Sequence, residues 1–195
     1  VNALSEWLEL ENAYDGKLCS VRFEEGKVTR EFKCINEHPE KKHGVKVTFK
    51  PDGTSFEETT FDYETLLNRL REQAFLNAGV RIVLSDKREK PEGEEARHDD
   101  FCYEGGIRSF VEHMNAAKGC DAIHPDVIYM KAEKGDITAE VAMQYNDSYN
   151  ETIISFANNM STIDGGTHEI GFKTALTKVI NDYARKYGVL KDADK

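Results

Sequence analysis

A histidine just beyond a pair of glycines is the feature of this sequence best suited to chemistry. His168 stands two residues after Gly165-Gly166, where an amphipathic stretch begins. Free backbone amides at a helix start bind anions, and an imidazole there can carry protons. Thr167 and Glu169, however, are the residue types that an ordinary helix needs at its N-cap and in its first turn. No Lys or Ser occupies a phosphate-loop position, so we favour a structural helix entry with Thr167 as the N-cap.

The remaining histidines, the acidic runs and the cysteines do not predict a metal site. The other histidines have neither i,i+4 spacing nor cysteine neighbours: His38, His43, His98, His113 and His124. The acidic run 92–95 lacks the spacing of an EF-hand. GxSxG, GxxxxGK(S/T), HExxH and GxGxxG motifs are absent. The cysteines are far apart, without a CxxC pair, which favours free thiols in a cytoplasmic protein: Cys19, Cys34, Cys102 and Cys120.

Composition excludes several classes of protein. Among 195 residues, 39% are hydrophobic and 32% are charged, which indicates a packed chain rather than a disordered one. The net charge of −10 argues against a domain that binds nucleic acid through its overall charge. No apolar run approaches the roughly 20 residues of a membrane span, and we expect no secretory leader, because a basic and apolar stretch ending in small residues is not found.

The first half of the sequence predicts a short helix, an antiparallel meander and then a longer helix. Val1, Leu4 and Leu8 have helical spacing without a cap, from which we expect a helix that continues from an upstream segment. Alternation predicts strands at 7–11, 19–23, 28–34 and 45–49, with Asp15-Gly16 as a hairpin turn. A helix is predicted at 62–76 and a strand at 80–84. The expected apolar face of that helix comprises Tyr63, Leu66, Leu67, Leu70, Ala74 and Phe75.

The second half predicts an α+β arrangement. The hydrophilic run 87–100 is the expected domain boundary. After it we predict a strand at 101–103, a helix from Ile107 to Met114, strands at 127–132, 137–145 and 152–157, and a final helix from Thr167. The order is β-α-β-β-β-α, with helices on one side of a sheet.

Several stretches, in order along the whole chain, resemble one family. They are VNALSEWLELE, GVKVTFKPDGTSF, FDYETLLNRLREQAFLNAGVRIVLSDKRE, FCYEGGIRSFVEHMN and NNMSTIDGGTHEIGFKTALTKVINDYARKYGVLK. They are similar to the B subunits of type IIA DNA topoisomerases, first DNA gyrase and second topoisomerase IV. The resemblance implies the C-terminal part of a GHKL-type ATPase sandwich at 1–90, a linker at 91–98 and the first part of a transducer domain, a ribosomal-protein-like fold, at 99–195.

The resemblance also implies a function. In the family, ATP and Mg²⁺ drive DNA strand passage and negative supercoiling by a homodimer of B subunits that works with the gyrase A subunit on DNA. The groups that bind Mg²⁺ and catalyse hydrolysis would lie outside this chain, so we expect the fragment alone to bind no cofactor and to be inactive. At the family's adenine-facing Gly-Thr pair this chain has Gly44 and Val45, which become the candidate cofactor-binding residues.

The resemblance places the stretch around His168 in the transducer rather than in the nucleotide pocket. It implies that the final helix packs its apolar residues on the transducer sheet: Phe172, Leu176, Val179, Ile180 and Tyr183. Two alternatives stay open. One is a topoisomerase IV subunit, which relaxes and decatenates DNA, and the other is a non-catalytic binding module that stands alone.

Overall fold

The computed structural model of the chain describes residues 1–35, 43–89 and 95–190. It separates into two compact units, Val1–Asp62 and Tyr63–Lys195. Three parts of the sequence named above lie outside the described residues: His38, the acidic residues 92–94, and the last residues of the range 99–195, from 191 onward.

The first unit is built on a four-stranded antiparallel sheet. Its strands are β1 (Ser5–Tyr14), β2 (Lys17–Glu24), β3 (Lys27–Ile35) and β4 (Gly44–Pro51). Their order across the sheet is β3-β2-β1-β4. The predicted turn between β1 and β2 is confirmed, because Asp15 and Gly16 both have positive φ, 49° and 71°, as a two-residue hairpin turn requires.

The two faces of this sheet differ in polarity, as strict alternation predicts. One face carries cross-strand ion pairs: the Glu9 carboxylate lies 2.9 Å from Arg30 and 3.4 Å from Arg22, and Glu11 lies 2.7 Å from Lys46. The opposite face is apolar, and much of it is exposed. Exposed fractions on this face are 56% for Val28, 64% for Phe32, 65% for Val45, 50% for Val47 and 40% for Phe49.

The prediction of an opening helix is wrong. Only a single 3-10 turn, Asn2–Leu4, precedes β1, and Ser5 already has extended backbone angles. Leu8, expected on a helix face, is instead buried within β1. The alternation of apolar and polar residues in β1 includes Leu8, and the backbone of β1 is hydrogen-bonded to β2 on one side and β4 on the other. This pairing outweighs the helical spacing of Val1, Leu4 and Leu8.

The expectation of free thiols is wrong for one pair. Cys19 on β2 and Cys34 on β3 are directly opposite each other, with Cα atoms 4.0 Å apart, and form a disulfide. Cys102 and Cys120 are free. A separation of 15 residues gave no sign of this pairing because the register of β2 and β3 contains two irregularities that sequence spacing does not reveal.

The second unit combines three helices with short paired strands. Its elements are α1 (Tyr63–Leu76), β5 (Ile82–Ser85), β6 (His98–Phe101), α2 (Ile107–Lys118), β7 (Ile128–Lys134), β8 (Ile137–Met143), β9 (Phe156–Ala157), β10 (Met160–Ser161) and α3 (Thr167–Lys186). The strands pair antiparallel as β5-β6, β7-β8 and β9-β10. The α+β class is confirmed.

The core of the second unit lies between α1 and the β5-β6 pair. Its buried residues are Tyr63, Leu67, Ala74 and Phe101. The predicted apolar face of α1 is therefore confirmed. Beside this core the ring of Phe75, 1% exposed, stacks on the rings of Tyr103 and Phe110 at centroid distances of 3.7 Å and 4.8 Å. This stack joins α1 to α2.

Part of the predicted hydrophilic loop is a strand. Residues 98–100 lie in β6, where their polar side chains have partners around β5 and α1. The hydroxyl of Tyr63 donates to Asp99 at 2.6 Å, Ser85 and His98 share a 2.8 Å hydrogen bond, and Arg81 is paired with Asp100. These contacts satisfy the polar groups that made the segment resemble a solvated loop.

Two further expectations for the second unit are wrong. The predicted strand at 152–157 is reduced to β9, which pairs only with β10. The helix α3 forms as predicted, but Val179 and Tyr183 are 64% and 62% exposed rather than packed on a sheet. The spacing of apolar residues identifies the apolar side of a helix, but it does not identify the element that packs on that side.

Candidate functional site

The candidate cofactor-binding pair begins the edge strand β4. Gly44 pairs with Ala13 and Val45 with Asn12 on the neighbouring β1. The Val45 side chain projects from the apolar face of the sheet and is 65% exposed, and a Cβ placed on Gly44 would meet no atom within 4 Å. Within the described residues, the pair therefore lies on an open surface.

The residues around Val45 determine which contacts this surface can make with a ligand. Asn12 pairs with Val45 on one side and with Cys19 on the other, so the disulfide, the Asn12 amide and Val45 lie in one cross-strand row. Val47 and Phe49 continue the apolar surface along β4. A flat aromatic group would find van der Waals contact here, whereas Val45 supplies no hydroxyl for a hydrogen bond.

In the second unit, the stretch around His168 forms a connected set of polar contacts. The Ser155 and Thr162 hydroxyl oxygens lie 2.6 Å apart, and Ser155 donates to the Glu169 carboxylate at 3.0 Å. The Thr162 hydroxyl lies 3.2 Å from Nε2 of His168. Lys173 forms an ion pair with Glu169 at 3.1 Å. These contacts tie the segment before α3 to the first turn of that helix.

The N-cap prediction at this helix is corrected in one detail. Gly166, not Thr167, is the N-cap, and it makes no side-chain cap bond. The glycine is required by close approach, because a Cβ there would lie 2.7 Å from the His168 ring. Glu169 stands in the first turn, as predicted, but its carboxylate contacts Lys173 and Ser155. The ion pair with Lys173, followed by the hydrogen bond from Ser155, lowers the pKa of Glu169 below its usual value.

His168 thus has the contacts of a structural residue, as expected. Its ring packs over Gly166 and meets a threonine hydroxyl rather than an activated nucleophile or a metal ligand set. Among the residues that the structure describes, no group of three or more His, Cys, Asp or Glu side chains is placed to hold a metal ion.

One exposed face of α3 presents Lys173, Lys178 and Arg185, and two of these cations have acidic partners. Lys173 is paired with Glu151 as well as Glu169, and Arg185 lies 3.8 Å from Asp182. This face of the helix therefore offers an anion less positive charge than its lysines and arginine suggest.

Sequence reasoning missed the hydrogen bonds of the β9-β10 turn. Asn158 and Asn159 both have positive φ, 50° and 64°. Asn159 is bonded to Gln73 and Asn77 at the C-terminal end of α1, more than 80 residues earlier in the chain. The Asn158-Asn159 pair is a turn signal from which the hairpin could have been predicted. The contact of the hairpin with α1 could not have been predicted in this way.

Comparison with known proteins establishes the family. A family model of DNA gyrase B matches residues 106–195. Over the full chain, 48% of residues are identical to the DNA gyrase B subunit of Clostridium acetobutylicum and 49% to the DNA topoisomerase 4 B subunit of Enterococcus faecalis. The chain belongs to the DNA gyrase B family. It spans 29% and 27% of the lengths of these two relatives.

Solved structures of the DNA gyrase B family have the same fold. The 43K ATPase domain of Thermus thermophilus gyrase B, solved in complex with an aminocoumarin, is 35% identical and superposes with a TM-score of 0.82. That comparison covers 99% of this chain and 50% of the Thermus chain. The B subunit of DNA gyrase from Myxococcus xanthus gives a TM-score of 0.79 at 25% identity, covering 93% of this chain and 51% of that one. Both confirm that the chain folds as part of a gyrase B ATPase region.

Among the helices that the structure describes, none has the length and apolar character needed to cross a lipid bilayer.

Proposed function

We propose that the protein to which this chain belongs is the B subunit of a DNA gyrase, which couples ATP binding and hydrolysis to DNA strand passage and negative supercoiling. The observation that carries the proposal is 48% identity to DNA gyrase B over all of the chain, together with the fold of a gyrase B ATPase region. The chain itself supplies scaffold rather than reacting groups, and we expect it to hydrolyse no ATP alone.

We assign residues 1–90 to the C-terminal part of the ATPase domain, 91–98 to a linker and 99–195 to the first part of the transducer. The family model supports this assignment by starting at residue 106. The compact units divide elsewhere, at Asp62 and Tyr63, because α1 packs on Phe101 of β6 and on Phe110 of α2. A compact unit reflects contacts within this chain, whereas a domain boundary concerns the whole protein.

The proposed cofactors are ATP and Mg²⁺, with Gly44 and Val45 facing the adenine. The open apolar surface around Val45 supports this role, since it suits a planar base. The position lacks the hydroxyl that the resemblance would place there, so base recognition would fall to other groups. The proposed partners are the gyrase A subunit, DNA and a second copy of the B subunit, and the proposed location is the cytoplasm, where the DNA substrate lies.

The test is a topology assay on the full-length protein. Purified B subunit, mixed with its A subunit and relaxed plasmid, should introduce negative supercoils only when ATP and Mg²⁺ are present. Omission of ATP, or its replacement by a non-hydrolysable analogue, is the control for coupling to hydrolysis. Supercoiling that proceeds equally well without nucleotide, or no change in topology under any condition, contradicts the proposal.

A topoisomerase IV subunit is the second candidate, favoured by the 49% identity to the Enterococcus faecalis protein. The same preparation decides between the two. ATP-dependent decatenation of linked circles, with relaxation but no negative supercoiling, would assign the protein to topoisomerase IV.

A further inference from the structure

The β9-β10 hairpin is a short, stiff element with contacts at both of its ends. Ala157 pairs with Met160 and Phe156 with Ser161, leaving Asn158 and Asn159 as a two-residue turn. Both turn residues have positive φ, which the tightest hairpin turns require. A turn of this kind has few alternative conformations, so the hairpin can be displaced as a whole more readily than it can be stretched.

The tip of the hairpin is bonded to the C-terminal end of α1. Gln73 donates from Nε2 to the backbone carbonyl of Asn159 at 2.9 Å. Asn159 donates from Nδ2 to Oδ1 of Asn77 at 3.0 Å, and Asn77 donates from Nδ2 to the Gln73 carbonyl at 2.7 Å. The three residues therefore close a ring of hydrogen bonds. Asn158, in the same turn, has no side-chain hydrogen bond to any residue that the structure describes.

Aromatic contacts lie beside this polar ring. The Phe156 ring in β9 lies 6.3 Å from that of Phe110 on α2, and Phe110 stacks on Phe75 of α1 at 4.8 Å. The hairpin is thus linked through the aromatic stack to the same end of α1 that its tip contacts. Loss of the polar ring would leave this apolar contact in place.

The base of the hairpin is bonded to α3. Ser155, directly before β9, and Thr162, directly after β10, share a 2.6 Å hydrogen bond. Ser155 donates to Glu169, and Thr162 meets His168. His168 and Glu169 both stand in the first turn of α3. The hairpin therefore connects the end of α1 to the beginning of α3 without an intervening flexible segment.

We propose that Asn159 is a positioning residue that couples α1 to α3 during the ATP-driven cycle, by holding the β9-β10 hairpin to Gln73 and Asn77. The inference rests on the proposed function, in which α1 belongs to the ATPase part and the hairpin and α3 belong to the transducer. The two bonds of Asn159 then cross the proposed domain boundary. Displacement of α1 is carried to α3 through directional hydrogen bonds at both ends of a rigid turn.

The competing explanation is that these bonds only help the hairpin to fold. The geometry favours coupling, since the Asn159 bonds are solvent-exposed and the aromatic contact of Phe156 holds the hairpin independently. Exposed hydrogen bonds add little to net stability but fix orientation. Removing them should therefore change how movement is transmitted more than whether the unit folds.

The test compares Asn159→Gly with Asn158→Gly in the full-length B subunit with its A subunit. Glycine accepts positive φ at both positions, so the two variants alter the turn backbone alike. Only Asn159→Gly removes a hydrogen-bonded side-chain amide, the donor to Asn77, whereas the bond from Gln73 to the backbone carbonyl of residue 159 remains in both variants. The measured quantity is the number of ATP molecules hydrolysed per supercoil introduced. We expect Asn159→Gly to raise this ratio by about threefold or more with ATPase activity retained, and Asn158→Gly to leave it unchanged.

A second variant tests the same contact without a substitution in the turn. Gln73→Met keeps the length of the side chain but removes its donor to the Asn159 carbonyl, and it should raise the same ratio. Combined with Asn159→Gly it should add less than the sum of the two single effects, because both act on one contact.

Three outcomes overturn the inference. An equal ratio for Asn159→Gly and Asn158→Gly removes any special role of the Asn159 amide. Parallel loss of ATPase activity and supercoiling, with a lowered melting temperature, shows a contact that serves only folding. If the wild-type protein changes DNA topology without consuming ATP, the proposed function itself is wrong. The wild-type control therefore distinguishes a failure of the proposed function from a failure of the inference about Asn159.

Discussion

At the residue scale, Glu169 shows how a sequence position acquires its role from its neighbours. Acidic residues are common in first helical turns because they complement the helix dipole. Here the carboxylate also pairs with Lys173 and accepts a hydrogen bond from Ser155, and these contacts lower its pKa. The ionised form is therefore favoured in the folded state more than in the unfolded one.

The pH dependence that follows has a definite sign. Because the folded-state pKa is lowered, the contribution of Glu169 to stability is fully present above its unfolded pKa of about 4.3 and is lost as the pH falls through the folded-state value. Glu169→Gln should therefore lower the melting temperature at about pH 7 and make less difference at about pH 3. Thermal unfolding followed by circular dichroism at both pH values measures this.

The matched control for this prediction is Glu133→Gln. Glu133 is exposed on β7 and has no ion pair with any residue that the structure describes. Its substitution should leave the melting temperature nearly unchanged at both pH values. Equal effects of the two substitutions at neutral pH would contradict a stabilising role for the Glu169 contacts.

At the element scale, the buried ring of Phe75 packs α1 against α2. This phenylalanine is the largest fully buried side chain among the described residues, and it contacts the rings of Tyr103, before α2, and Phe110, within α2. The helical periodicity of α1 predicts that Phe75 lies on its apolar face, but it does not identify Tyr103 and Phe110, which lie 28 and 35 residues later in the chain. Packing of α1 on α2 depends on this contact.

Truncation of that side chain tests the packing. Phe75→Ala should destabilise the second unit by about 3–5 kcal/mol, since it removes a buried ring and leaves a cavity. Tyr149→Ala, the truncation of an aromatic side chain that is fully exposed in the same unit, should cost about 0.5 kcal/mol or less. Urea unfolding followed at 222 nm compares them, and similar losses for both would rule out Phe75 as a core residue.

At the scale of the whole chain, the two compact units differ in how well they are covered. The buried cluster of Tyr63, Leu67, Ala74 and Phe101 lies in the second unit. In the first unit, Leu8 is the buried hydrophobic residue, and the apolar face of the sheet is largely exposed among the described residues. A sheet that buries one face poorly gains little hydrophobic stabilisation.

The units should therefore unfold separately. Trp7, the single tryptophan of the chain, lies in β1 and reports on the first unit, whereas the described α-helices all belong to the second and dominate the signal at 222 nm. We expect the fluorescence transition to have a midpoint lower by roughly 1 M urea or more than the helical transition. Coincident transitions would show that the chain unfolds as one cooperative body.

The sequence by itself determined the family, the α+β class, the β1-β2 turn and the apolar face of α1. These features arise from local periodicity, turn residues and motifs, which are properties of neighbouring positions. The sequence also located the candidate pair Gly44 and Val45, through the resemblance, and indicated that His168 belongs to a helix entry. Whether that pair contacts adenine remains a prediction.

Only the tertiary structure decided which distant residues meet. The Cys19–Cys34 disulfide depends on an irregular strand register, and the contact of Asn159 with Gln73 joins residues 86 positions apart. It also decided that the apolar side of α3 is exposed at Val179 and Tyr183. Such contacts depend on how elements are placed in space, and the periodicity within one element contains no information about its neighbours.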